Sequence, residues 1–185
     1  MSEKPLPRDR PPVPGVEQLK ALAGSDLNDL CDATDAAIEA GGGFGWVRLP
    51  ARDILERYWK GVLTMPQRLL LVARLDGVIC GTAQLVLPPR NNEAQSFAVN
   101  LTTNFVAPWA RGHGLARMLL EEAENRARKE GFAVINLDVR ETQEAAIKLY
   151  ESRGYKLIGI HPHYAKVGGR IIAGRYYYKA LNQDG

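Results

Sequence analysis

The stretch Arg111-Gly112-His113-Gly114-Leu115-Ala116 has the composition of an anion site. It comes after a β-rich run and opens an amphipathic segment, so its glycines stand where a strand turns into a helix. Glycine lets the backbone come close to a ligand, and the first amides of a helix point outward with the positive end of its dipole. Arg111 adds a fixed positive charge, and a pyrophosphate is the natural guest. Three phosphate sites compete for these features. A P-loop needs a Gly-Lys-Ser/Thr ending, which is missing. A dinucleotide fingerprint needs a third small residue where Arg117 stands, although Asp138 lies where a ribose-binding acid would sit. The third is a coenzyme A diphosphate site. A Gly-rich turn with a purely structural task stands beside all three.

The elements that must position this turn can be read from periodicity. Residues 1–15 hold Pro5, Pro7, Pro11, Pro12 and Pro14 and read as a disordered or extended tail, leaving one domain over 16–185. Helices are expected over 16–23, from Ser25-Asp26 to the Gly41-Gly42-Gly43 run, and over 51–62. Strands over 68–74 and 78–87 flank Asp76-Gly77, a strong hairpin signal. A strand over 96–106 leads into the turn. Beyond it, Leu115, Leu119, Ala123 and Ala127 form the apolar face of a helix over 114–130. A strand over 132–139, a helix over 144–153 and strands over 155–160 and 170–181 complete the chain. The strands on either side of the 114–130 helix should be parallel neighbours with a right-handed crossover.

The 185 residues are 45% hydrophobic and 24% charged, with a net charge of +3, which is too small an imbalance to argue for nucleic acid or an anionic membrane. Apolar runs such as residues 69–73 fall far below the ~18 residues of a membrane span. No apolar signal region comes after Met1. Cys31 and Cys80 give neither a disulfide framework nor zinc spacing, so no metal is expected and the reducing cytoplasm is the default compartment. Both cysteines read as small buried hydrophobes. Arg117, Arg126, Arg128 and Lys129 read as a solvated helix face.

The residues beyond the turn narrow the choice. The order strand, Pro108, Arg111-Gly112-x-Gly114-x-Ala116, helix, strand ending near Asp138, then Ala145-Ala146-x-x-Leu149-Tyr150-x-x-x-Gly154-Tyr155 resembles the GNAT superfamily of N-acetyltransferases over roughly residues 69–181. Arg111, Gly114 and Ala116 fill the fixed positions of its Gln/Arg-x-x-Gly-x-Gly/Ala signature. The ending from Gly159 to Lys179 is similar to the tabtoxin-resistance-type subgroup. The resemblance implies an α/β domain whose central sheet is mixed and mostly antiparallel, with two splayed parallel central strands and helices on both faces. It implies acetyl-CoA as donor. Its pantetheine arm would bond backbone groups of Asn104, Phe105 and Val106, much as a peptide adds to a sheet edge, and its pyrophosphate would sit on the amides from Arg111 through Gly112, His113, Gly114 and Leu115 to Ala116.

Acetyl transfer to an amine needs a lost proton, donors for an oxyanion and a protonated leaving thiolate. The resemblance places Tyr150 as the general acid and offers the Val106 amide to the oxyanion. Asp138 is the first candidate base and Glu93 the second. Neither cysteine belongs to the acyl-binding segment, so direct attack in a ternary complex is expected. Acceptor-pocket candidates are Phe44, Trp46, Tyr58, Trp59, Gln84, His161, His163 and Tyr164, whose aromatic walls suit an amine-bearing small molecule and would equally suit a core. The alternatives are a CoA-binding sensor without turnover, and an acyltransferase that uses another acyl group or a protein N-terminal amine. A homodimer is allowed by the sequence and not read from it.

Overall fold

The first element is a strand. In a computed structural model, which describes residues 10–42 and 45–181, β1 (Pro14–Leu19) pairs antiparallel with β2 (Arg68–Leu75), Leu19 opposite Leu70 and Pro14 opposite Leu75. The helix expected over 16–23 therefore does not form. Its helix-forming residues are overruled by a partner strand some fifty positions away in sequence, a tertiary effect that local propensity does not register. Residues 1–9 of the expected tail lie outside the described residues.

Two helices come next, α1 (Asp26–Glu39) and α2 (Arg52–Thr64). The Asp26 carboxylate accepts the Ala23 N–H and the Arg74 guanidinium, and the Arg74 bond holds it below the usual carboxylate range. The Asp76-Gly77 turn, with φ of 51° and 88°, joins β2 to β3 (Val78–Val86) in the two-residue hairpin that such a pair favours. Then come β4 (Ala98–Val106), α3 (Leu115–Lys129), β5 (Val134–Arg140), α4 (Glu144–Ser152), β6 (Lys156–Val167) and β7 (Arg170–Ala180). β6 runs seven residues past the end expected at 160, because its outer half pairs with β7 up to the Val167↔Arg170 turn.

Among the described residues, seven strands form one sheet in the order β1-β2-β3-β4-β5-β7-β6, in which β4 and β5 pair parallel. One core packs α3 and α4 on one face: Leu115, Leu119, Ala123 and Ala127 of α3 are buried, as their spacing predicts, and Leu120 is buried with them. Burial of each of the three leucines contributes about 1.5–3 kcal/mol. The second core packs α1 and α2 on the other face around Leu30, Leu55 and Trp59. Among the described residues, no helix is long and apolar enough to cross a membrane.

The parallel pair is the feature that makes room. β4 and β5 pair only from Ala98↔Val134 to Leu101↔Leu137, although β4 continues to Val106 and β5 to Arg140. A bulge accompanies the parting. Between the pairs Thr82↔Phe105 and Gln84↔Thr102, two β4 residues, Thr103 and Asn104, oppose Ala83 alone. Thr103 takes φ of 50°, and the Thr82 hydroxyl donates to its carbonyl at 2.8 Å.

Candidate active site

The two parted strands open onto two cavities that share β4 and α4. The first, of about 290 Å³, lies against the Arg111–Ala116 turn and is lined there by Gly112, Gly114, Leu115 and Ala116, with Val106, Ala145 and Leu149 as its other walls. Gly112 and Gly114 have φ of 84° and 75°, a conformation that costs any other residue about 1–2 kcal/mol. Gly114 is the N-cap of α3, so the first-turn amides after it have no carbonyl one turn back to bond. Strand alternation sets the neighbouring donor. The Ala107 N–H points toward β3, donating to the Cys80 carbonyl at 2.7 Å, so the Val106 N–H one residue earlier points to the opposite edge, where β5 has parted.

The second cavity, of about 390 Å³, lies beyond the last β4–β5 pair. Its floor is Thr102, Thr103 and Asn104 of β4 with Asp138 and Arg140 of β5. Its walls are Gly45 and Val47 on one side and Tyr164 to Val167 of β6 on the other. Tyr150 of α4 reaches this cavity, while Ala145 and Leu149 of the same helix face the first. Tyr150 thus follows directly on Leu149, a wall of the first cavity. The ring is 5% exposed and packs at 5.7 Å from the Tyr155 ring and 6.4 Å from that of Tyr177. Asn104 Nδ2 donates to the Tyr150 oxygen at 3.1 Å, which leaves the phenolic proton for another acceptor. Burial pushes this phenol above its ordinary range, Asn104 pulls it back, and the Asp138 charge adds to the rise.

A model of the acetyltransferase (GNAT) family matches residues 34–155. This chain belongs to the GNAT acetyltransferase family. An N-acetyltransferase of Azospirillum brasilense from the hisH-hisA intergenic region is 66% identical over 128 residues, covering 69% of this chain and 76% of that protein. The N-alpha-acetyltransferase RimI of Mycobacterium tuberculosis is 32% identical over 107 residues, covering 58% of this chain and 64% of its own. Among solved structures, an N-acetyltransferase of Staphylococcus aureus Mu50 superposes with a TM-score of 0.78 at 18% identity, over 92% of this chain and 99% of that one. The Salmonella typhimurium protein yncA, solved with its cofactor acetyl-CoA, gives 0.74 at 19% identity over 92% and 95%. These two likenesses show the fold, and the expected GNAT architecture is the one observed.

The family uses acetyl-CoA, and the first cavity fits such a donor: positive-φ glycines, first-turn amides and Arg111, with the apolar side chains of Val106, Ala145 and Leu149 beside them. Of the residues expected there, Arg111, Gly112, Gly114, Leu115, Ala116 and Val106 line it. His113 instead turns its ring back, with Nδ1 at 3.2 Å from the Ala110 carbonyl. Asn104 serves the other cavity, and the Phe105 side chain is buried in the α1/α2 core. Arg117, read as part of a solvated face, lines the first cavity. Ala145 and Leu149, which the sequence offers only as motif letters, form one of its walls.

The acceptor candidates divide. Asp138 and Tyr164 meet in the second cavity, the Tyr164 hydroxyl donating to Asp138 Oδ2. Phe44 lies outside the described residues. Gln84 is fully buried as a structural amide, accepting from Arg68 Nη1 at 2.7 Å and donating to the Tyr58 hydroxyl at 2.9 Å. Trp46 packs edge-on against Tyr58, and Trp59 is core, its Nε1–H donating to Thr34 Oγ1. His161 and His163 are exposed on β6 away from the cavity lining, and Glu93 sits on an exposed turn after β3. Sequence reasoning missed Thr102, Thr103, Arg140, Gln143 and Lys166, which line the cavity. Their signal was positional: the C-terminal ends of two parting strands and a hairpin that outruns its neighbour. Cys31 and Cys80 are fully buried, and desolvation pushes each thiol up to about 11.

Proposed function

We infer that this acetyltransferase moves the acetyl group of acetyl-CoA onto the amine of a small molecule held in the second cavity, by direct attack while both substrates are bound. Acetyl-CoA supplies a thioester, an acyl donor whose leaving group is a thiolate. The observation that carries the reading is the place of Tyr150, which lines the cavity that holds Asp138 one helix position after Leu149, a wall of the cleft on the Arg111–Ala116 turn.

The chain's own groups divide the work. The Arg111–Ala116 turn holds the diphosphate, and the parted edge of β4 offers the pantetheine arm its unpaired amides. The Val106 N–H donates to the acetyl oxygen as negative charge gathers there. Asp138 accepts hydrogen bonds from the incoming ammonium and relays its proton to water, for which its exposed position is suited. Tyr150, kept protonated by burial, donates to the departing sulfur. Ordinary phenols and thiols (pKa ~10 and ~8.5) make complete transfer uphill, so the hydrogen bond itself is the stabilising interaction. Neither buried, protonated cysteine is a nucleophile at neutral pH, which supports direct attack over a covalent acetyl-enzyme.

The test is thiol release from acetyl-CoA across a library of small amines and peptide N-termini, beside calorimetric binding of coenzyme A. Binding with turnover of small amines supports the assignment. Turnover confined to peptides refutes the acceptor class, ping-pong kinetics with a trapped acetyl-enzyme refute direct attack, and binding without thiol release makes the chain a sensor.

A further inference from the structure

The second cavity carries charges of both signs, and their balance says which amine it takes. Asp138 and Arg140 are two apart on β5, so both side chains leave the same face, with Cα atoms about 6.6 Å apart. Tyr164 and Lys166 repeat that spacing on β6. β7 lies between these strands, and β strands two places apart are separated by about 9.5 Å. Gly174 lets Tyr164 cross that distance: a Cβ there would lie 2.1–2.5 Å from the Tyr164 ring atoms. The result is a carboxylate bonded by a phenol, Asp138 with Tyr164, and two cations, Arg140 and Lys166, lining one cavity.

One carboxylate faces two cations. A simple monoamine would engage Asp138 and leave both cations without an anion from the ligand. A polyamine would bring a second positive charge against them. An acceptor with a carboxylate near its amine answers both signs of charge. Arg140 Nη1 also donates to the Gly42 carbonyl at 3.5 Å, and a guanidinium with five N–H donors can serve a loop and a carboxylate together.

We propose that the acceptor is a free amino acid, its amine directed to Asp138 and its carboxylate held by Arg140 and Lys166. This rests on the small-amine reading above and names the class of amine. It also separates the cavity from a peptide-N-terminus site, because a peptide has an amide where the carboxylate would stand.

The experiment compares kcat/KM for each of the twenty L-amino acids with that for its carboxamide, with putrescine and spermidine as cationic amines. A charge-assisted contact predicts that the best amino acid exceeds its amide about tenfold or more. Lys166→Glu should erase that preference while leaving coenzyme A affinity unchanged, and Lys166→Met should reduce it severalfold. Arg140→Met should do the same, but it also loosens the loop at Gly42, so the Lys166 variants decide. Equal or better turnover of amides or polyamines overturns the proposal. A second readout does not depend on turnover: calorimetry of N-acetyl-amino acids against N-acetyl-amino-acid amides on the CoA-loaded protein. If no amine of any kind is acetylated, the small-amine reading fails, and this binding comparison still decides the charge assignment. A tighter acid that loses its advantage in Lys166→Glu upholds it, and equal binding overturns it.

Discussion

Tyr150→Phe is the substitution that isolates the leaving-group contact. The ring keeps its place against Tyr155 and Tyr177, so apolar packing is conserved. The ground state loses the bond from Asn104 Nδ2, worth about 1 kcal/mol, which lowers Tm by about 2–4 °C in a chain of this size. The transition state loses a donor to a sulfur gaining negative charge. A hydrogen bond to a charged group contributes about 1.5–3 kcal/mol, so kcat should fall about 10–150-fold. Affinity for coenzyme A should not change, because the diphosphate turn lies on the other side of α4. The pH profile gives an independent check. Burial raises the phenol above 10, so wild-type kcat should show no Tyr150-dependent decline below pH 10. Stopped-flow or colorimetric thiol release at saturating acceptor measures both. A kcat within threefold of wild type, or a decline centred below pH 9 that disappears in the variant, refutes the role.

Four other outcomes can be measured directly. Gly114→Ala places a side chain at φ of 75°, so coenzyme A affinity by calorimetry should fall about tenfold for a stability loss of about 1–2 kcal/mol. Gly174→Ala drives the Tyr164 ring off Asp138, so KM for the acceptor should rise severalfold while coenzyme A affinity holds. Glu124→Ala removes a nearly fully buried carboxylate bonded at 2.9 Å by both Arg153 and Lys179, and urea unfolding should show a loss of about 3–5 kcal/mol. Cys31 and Cys80 have folded thiol values raised from 9.0 to about 11, so their contribution is complete below pH 9 and is lost as pH rises through 11. Unfolding free energy should drop by about 1 kcal/mol per thiol by pH 10, and a Cys31→Ala/Cys80→Ala protein should show a flatter slope over that interval.

The elements legible in the sequence are those whose signals are local. Asp76-Gly77 can hardly avoid a tight hairpin, and the i+4 ladder from Leu115 to Ala127 needs no partner to declare its buried face. The Arg111–Ala116 turn was legible because its glycines are required by backbone angle. β1 was not, because Glu17, Gln18 and Leu19 favour a helix until β2 is placed beside them. The acceptor cavity was half legible. Tyr150, Asp138 and Tyr164, all named from the sequence, line it, but Trp59 and Gln84, named beside them, pack or brace the core. Arg140 and Lys166 have no local signature, since the parting of β4 from β5 and the overhang of the β6–β7 hairpin are what set them on one rim.

Glu124 acts as a pivot. It fastens α3 through Arg153 to the end of α4 and through Lys179 to β7, while the opposite tip of α3 is the N-cap Gly114. At about 1.5 Å per residue the arm between them is about 15 Å long, so a tilt of only about 5° about Glu124 swings the Gly114 tip by about 1.3 Å. A fastening buried deep beneath the helix thus sets the alignment of its far end, and loosening it would surface as weaker grip on the donor before the protein came apart.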